Sequence, residues 1–243
     1  MIVHPLLGEF CGTAVLIIFG NGIVANNNLK KTYGHNAGIL AITTGWFIGV
    51  MMGVFVAQSL GSVQGDINPA VTMAKTILGL YTIKQMLLTI LSQIAGAALG
   101  AFLVWLAYLP HWAQTEDALA IRACFCTSPA IKQYPSNMLN EIIGTFILVM
   151  GIGAIFGYAT LGHPTNGLGP YIVGILVWGI GLSLGGATGY AVNPARDLGP
   201  RITYTLLPFK AKTSSSWSYS WIPVIAPLIG AALAALFWQQ LFQ

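Results

Sequence analysis

The sequence predicts an all-α membrane protein, with six transmembrane helices and two half-helices arranged as an inverted repeat. Three observations carry this prediction. The 243 residues are 56% hydrophobic and only 7% charged, whereas soluble domains are about 45–50% apolar and about 25% charged. So few charges cannot cover a water-facing surface. The apolar stretches run for about twenty residues without alternating, which suits helices crossing a bilayer and disfavours a β-barrel. Finally, Asn-Pro-Ala occurs twice, at Asn68-Pro69-Ala70 and Asn193-Pro194-Ala195, each time between hydrophobic spans.

The elements follow in chain order. The first span covers residues 5–27 and opens on Glu9-Phe-Cys-Gly-Thr13. It has no positive leading region and continues past the length of a leader, so it reads as a retained span. The second covers 38–59 and carries Gly45, Gly49 and Gly53 at four-residue spacing. A short helix over 69–80 follows the first Asn-Pro-Ala, and the third span covers 85–108 with Gly96 and Gly100. The longest polar connection, 109–137, holds Glu116, Asp117, Arg122 and Lys132. The fourth span, 138–159, opens on Glu141-Ile-Ile-Gly-Thr145, and the fifth, 169–188, leads to the row Gly181, Gly185, Gly189. A second short helix, 194–206, precedes a serine-rich loop from Lys210 to Tyr219 and a sixth span over 220–241. The glycine rows read as close helix packing, which small residues permit where lipid supplies no hydrophobic drive between helices.

Each half thus has the same order: a Glu-x-x-Gly-Thr span, a second span, an Asn-Pro-Ala half-helix and a third span. We read one domain over 1–243, with repeats near 5–108 and 138–241 joined by 109–137. Three crossings per half is an odd number, so the second half enters from the opposite side. The two half-helices then approach from opposite faces and meet start to start.

Asn is a good N-cap and Pro suits the first helical turn, so each Asn-Pro-Ala marks an abrupt helix start. Two such starts inside a membrane place two positive dipole ends and two Asn amides at mid-depth. That arrangement passes neutral polar molecules and refuses cations. If each Asn oxygen caps its own helix, its NH₂ turns toward the lumen. Glu9 and Glu141 are carboxylates inside spans. A proton relay is one reading; accepting the backbone N–H groups of the loop before each half-helix is the better one, because both halves need that loop held.

Other chemistry has little support. The net charge of +4 is scattered, which argues against nucleic-acid binding. Cys11 lies in a span, and Cys124 and Cys126 flank Phe125 with only His111 close in sequence. These read as packing, and no metal site or cofactor is expected. His4, His35, His111 and His163 sit near span ends and no nucleophile–base set is visible, so an enzyme is not expected.

Taken together, the Glu-x-x-Gly-Thr openings, both Asn-Pro-Ala boxes and the extended box Val192-Asn-Pro-Ala-Arg-Asp-Leu-Gly-Pro-Arg201 resemble the major intrinsic protein family, the aquaporin and glycerol-facilitator superfamily. The resemblance covers nearly the whole chain and implies an aquaporin-like right-handed bundle. Asp197, Arg201, Pro227-Leu228 and Phe125-Cys-Thr-Ser-Pro129 resemble the glycerol-conducting branch, within it the bacterial glycerol uptake facilitators. The resemblance implies a passive channel for glycerol and small neutral polyols, also permeable to water, and excluding protons and ions. It implies a selectivity filter of Trp46, Gly181, Tyr190 and Arg196. Tyr190 stands where that branch has Phe, and Gly181 where water-selective members have His, leaving a gap for solute. Trp46 is assigned by its context; Ile48 is the alternative, because Trp46 lies two residues farther from Asn68 than the pattern expects. Asp66 replaces a customary His and reads as a loop or capping residue, with a pH-sensitive gate as the sharper alternative. Asp197 reads as a first-turn helix acid that belongs, with Glu9 and Glu141, to the loop scaffold.

The family further implies a homotetramer in the cell membrane with both termini cytoplasmic. The excess of Lys and Arg on the odd-numbered loops (Lys30, Lys31, Arg122, Lys132, Lys210, Lys212) points the other way by the positive-inside tendency. A water-selective pore and a secondary transporter with inverted repeats are the alternatives. Gly181 and Asp197 argue against the first, and the shortage of titratable groups along the path argues against the second.

Overall fold

The computed structural model describes residues 4–156 and 167–241. Residues 157–159 of the expected fourth span, and His163, lie outside the described residues. In chain order the elements are α1 (Pro5–Asn28), α2 (Ile39–Ser59), α3 (Pro69–Ile77), α4 (Ile83–Ala107), α5 (Leu109–Gln114), α6 (Ala118–Ala123), α7 (Tyr134–Phe156), α8 (Leu168–Thr188), α9 (Pro194–Leu206), α10 (Trp217–Ser220) and α11 (Ile222–Leu241). No strand occurs among the described residues. Six segments are long and apolar enough to cross a bilayer: α1, α2, α4, α7, α8, and α10 with α11. The protein is a multi-pass membrane protein. Helix α3 has 9 residues and α9 has 13. At 1.5 Å per residue they reach roughly 14 and 20 Å, well short of a hydrocarbon core ~30 Å thick.

The ends of the elements follow their caps. Helix α3 stops at Ile77, three residues before the expected end, because Gly79 takes a left-handed φ of +84°. The Gly79 N–H donates to the Thr76 carbonyl at 3.0 Å and the Leu80 N–H to the Lys75 carbonyl at 2.9 Å, which closes a Schellman motif. Helix α4 starts two residues early, through a reciprocal capping box between Thr82 and Gln85. Helix α7 starts at Tyr134, four residues before the expected 138, because Pro135 falls in the first turn, where its missing N–H is not needed. The connection expected over 109–137 is shorter as a result, and α5 and α6 occupy much of it.

Within the first half α1 packs on α2 and α4; within the second, α7 packs on α8 and α11. Backbones come close at the glycine rows. A Cβ on Gly53 would stand 2.8 Å from the Gly12 carbonyl oxygen, so the α1–α2 crossing admits only glycine there. The halves are joined by α2 against α8, and by an exchange of half-helices: α3 packs more extensively on α11 than on α4, and α9 more on α4 than on α11. Each half-helix therefore seats mainly on the third span of the other repeat.

Candidate functional site

The segment before each half-helix adopts a backbone that its side chains disfavour. Ile67 and Val192, both β-branched, have φ of +45° and +41°, and Tyr190 has +37°. Non-glycine residues there cost about 1–3 kcal/mol each and persist only where the surroundings over-determine them. The buried carboxylates Glu9 and Glu141 supply that constraint. Glu9 accepts from the Asp66 N–H at 2.9 Å and the Ile67 N–H at 2.8 Å, and also from Ser62 Oγ and Gln93 Nε2. Glu141 accepts from the Ala191 and Val192 N–H groups, each at 2.9 Å, and from Thr188 Oγ1 at 2.6 Å. The backbone N–H bonds hold each loop in place, Gln93 and Thr188 tie the carboxylates to α4 and α8, and Glu9 connects onward through Gln93 and Thr72 to Asp66. Gln93, Ser62 and Thr188 belong to this scaffold although no sequence motif marks them.

Asn68 and Asn193 cap their helices as expected. Asn68 Oδ1 accepts from the Ala70 N–H at 2.9 Å, and Asn193 Oδ1 from those of Ala195 and Arg196 at 3.0 and 3.2 Å. The amides differ from the expectation that they turn wholly to the lumen. Asn68 Nδ2 donates to the Val192 carbonyl and Asn193 Nδ2 to the Ile67 carbonyl, both at 2.9 Å. Each half thus holds the residue before the other half's Asn, and the two helix starts are clasped together. An amide carries two N–H groups, so one per Asn remains for the opening both residues line.

That opening encloses about 740 Å³ of space, counting the solvent at its mouth. Helix α2 lines it with Trp46, Val50, Val54 and Gln58 at four-residue spacing, so it follows α2 for about 18 Å. Asp66 and Lys75 lie at the Gln58 end; Tyr190 and Arg196 lie with Trp46 at the other. The Arg196 guanidinium carbon stands 4.1 Å from the Trp46 ring centroid, a cation–π stack. Trp46, not Ile48, therefore meets Arg196. Gly181 departs from its expected setting. It does not line the opening, and a Cβ there would stand 2.8 Å from Tyr190 Cζ and 3.0 Å from its Oη. A Cβ on Gly185 would meet the same ring at 2.5 Å, on Cδ1. The gap expected at Gly181 is filled by the phenol of Tyr190. Gly189 caps α8 in the left-handed region, φ +79°. The row Gly181, Gly185, Gly189 therefore serves an aromatic ring and a helix end, and is not the helix-packing ridge its spacing suggests.

Asp66 accepts from Thr72 Oγ1 at 2.9 Å and pairs with Lys75 Nζ at 2.5 Å. It clamps its loop to the last turn of α3. Asp197 is fully buried and contacts no part of the opening. It accepts from the Thr127 N–H at 3.0 Å and from Thr127 Oγ1, and forms a two-point pair with Arg201. Arg201, also buried, donates in addition to the carbonyls of Thr127, Ser215 and Ser216. This pair anchors both polar loops to α9. Its i, i+4 spacing is the signal that marks it in the sequence. Cys124 and Cys126 are buried free thiols beside Phe125, and burial pushes the Cys126 thiol up to about 12, so it stays protonated and unreactive at neutral pH.

Six spans, two clasped half-helices and an opening along them define a helical membrane channel. The family comparison agrees: the chain belongs to the major intrinsic protein family, whose model matches residues 2–238. It is 51% identical over 237 residues to the "Probable glycerol uptake facilitator protein" of Thermotoga maritima, covering 97% of this chain and 98% of that one. It is 48% identical over 231 residues to "Glycerol uptake facilitator protein 3" of Lactiplantibacillus plantarum, covering 95% and 94%. Among solved structures it superposes on the aquaglyceroporin of Plasmodium falciparum with a TM-score of 0.82 at 26% identity, over 98% of this chain and 96% of that one.

Proposed function

We propose that the protein is a passive channel for glycerol and other small neutral polyols, permeable also to water and closed to protons and ions. The single observation that carries the reading is the amide clasp at the two helix starts. It leaves one N–H of Asn68 and one of Asn193 beside the opening. A passing oxygen meets two donors there, and a water held by both turns its own hydrogens outward, which interrupts proton relay. A cation meets two positive helix ends and Arg196, and shedding its hydration beside them is costly. The logic of an Arg and half-helix dipoles as barriers is general to pores of this type.

Trp46, Tyr190 and Arg196 form the selectivity filter in this reading, with Gly181 behind it and with Glu9, Glu141 and Asp197 as scaffold. The names of the two bacterial relatives support glycerol as the solute. The chain works as one domain of two repeats, near 5–108 and 138–241. By family resemblance it assembles as a homotetramer in the cell membrane, with cytoplasmic termini and the Arg196 end outward. Stopped-flow light scattering on proteoliposomes tests the function directly. Glycerol and water fluxes well above those of empty vesicles, with a larger polyol such as a hexitol excluded, are the expected result. Glycerol flux equal to that of empty vesicles refutes it.

A further inference from the structure

A charge pair stands at the Gln58 end of the opening, away from Arg196. Asp66 and Lys75 both line that end, together with Gln58 and Gln64. Lys75 sits in the last turn of α3, and Asp66 in the loop before that helix. The Lys75 ammonium donates to Asp66 Oδ1 at 2.5 Å and to the Gln64 carbonyl at 3.3 Å. Its side chain is 15% exposed, whereas that of Asp66 is 0% exposed. The carboxylate is thus walled in, and the ammonium is the member of the pair that faces the path. Asp66 is also fixed from behind. Its Oδ2 accepts from Thr72 Oγ1 at 2.9 Å, Thr72 Oγ1 accepts from Gln93 Nε2 at 3.0 Å, and Gln93 Nε2 reaches Glu9 at 2.7 Å. Stability alone does not account for such a pair, since well-packed apolar side chains of similar volume are often as stable.

No other acid in the chain can take over from Asp66. The sequence has six Asp and Glu residues. Glu9 already accepts from four donors, Glu141 holds the loop of the other half, and Asp197 is committed to Arg201 and Thr127. Glu116 and Asp117 lie beyond α5, near the end of α1 where Asn28 meets the Ala120 carbonyl. That end is roughly 28 Å along α1 from Glu9. Lysine carries its charge on a long flexible stem. Released from Asp66, Lys75 would be left with Gln58 and Gln64 among the described residues at this end, and with the oxygens of whatever passes. We propose that Asp66 is a positioning residue for conduction: it leashes the Lys75 ammonium to the wall of the opening and so keeps a mobile cation out of the solute's way. The inference rests on the channel reading above. It differs from a simple loop clamp in one measurable respect. The harm done by losing Asp66 should come through Lys75, so that removing Lys75 as well undoes it.

The test is the ratio of glycerol to water permeability in the same proteoliposomes, which does not depend on how much protein inserts. A side chain astray in the opening slows the larger solute more. Asp66→Asn, which weakens the leash, should lower the ratio roughly threefold or more, the order by which losing one charge-assisted hydrogen bond shifts a two-state balance. Asp66→Ala, which removes the leash, should lower it at least as far. Lys75→Met should keep the wild-type ratio, and Asp66→Asn/Lys75→Met should return to it. A ratio unchanged in both Asp66 variants overturns the proposal, as does a fall in Lys75→Met alone. A ratio that falls in Asp66→Asn and stays low in the double variant also overturns it, because the loop and not the lysine is then at fault. If neither Asp66 variant conducts, the double variant decides: conduction restored supports the leash, and conduction still absent refutes it. Wild-type vesicles that pass no glycerol would instead sink the channel reading itself, which is distinct from a wild type that conducts with a ratio indifferent to Asp66.

Discussion

Glu141 shows how one side chain decides a backbone. Its two oxygens take three donors, two of them N–H groups of a loop in a disfavoured conformation. Burying a carboxylate is costly, so two effects compete. Glu141→Gln removes the charge but turns an NH₂ toward at least one of those donors, stranding a buried N–H at about 1–3 kcal/mol. We expect the second effect to win and the thermal midpoint of Glu141→Gln in detergent to fall. A raised midpoint would mean that charge burial dominates. At the other end of the opening, Asp66 and Lys75 depend on each other. Asp66→Asn and Lys75→Met should each destabilise, and the double variant should lose less than the sum, with a coupling of about 0.5–3 kcal/mol in a double-mutant cycle. Additive losses would show that the pair contributes nothing. The sequence marked Asp66 as unusual, but its partner lies nine residues on, across a turn and onto a different element. Only the folded half-helix brings the two together.

Among the elements, helix starts were legible and helix packing was less so. Asn-Pro-Ala fixes two starts because cap and first-turn preferences coincide. Glu9 and Glu141 were readable as loop anchors because a buried carboxylate and a buried unpaired loop require each other. Tyr134 as the start of α7 was not, since a proline in a polar stretch reads equally as loop and as first turn. The glycine rows in α2 and α8 have the same spacing and different uses. Periodicity reports a face of a helix; it does not report whether a second helix or a single ring covers that face. The distinction is testable on α1 and α2. Gly53→Val would press on the Gly12 carbonyl of the neighbouring backbone, which cannot move aside like a side chain. We expect a loss of at least the 1–3 kcal/mol typical of overpacking. Gly22→Ala in α1 meets nothing within 4 Å and should raise stability, because glycine inside a helix costs about 1 kcal/mol relative to alanine. Thermal denaturation of both variants in one detergent decides the matter.

For the whole molecule, the inverted repeat was visible in the order of motifs, whereas the clasp between its halves was not. The amides of Asn68 and Asn193 bond carbonyls more than a hundred residues away, and no local pattern encodes such a partner. In the function proposed above the same scale governs selectivity, since exclusion of ions would draw on both helix starts and on Arg196 at once. Arg196→Ala should keep the fold, because its guanidinium bonds no acceptor among the described residues, and should weaken exclusion of cations or of larger solutes. Ion-dependent swelling identical to wild type would remove Arg196 from that role.

The crossing of the half-helices has a consequence for biosynthesis. Helix α3 (Pro69–Ile77) is made early, yet its main neighbour, α11, begins only at Ile222. At ~5–20 residues per second the wait is on the order of 10 s. During that interval a short, polar-ended segment sits at the bilayer without its permanent companion. The nascent first repeat is thus an unfinished object until α11 arrives to secure it, and damage near residue 230 would be felt first around residue 70.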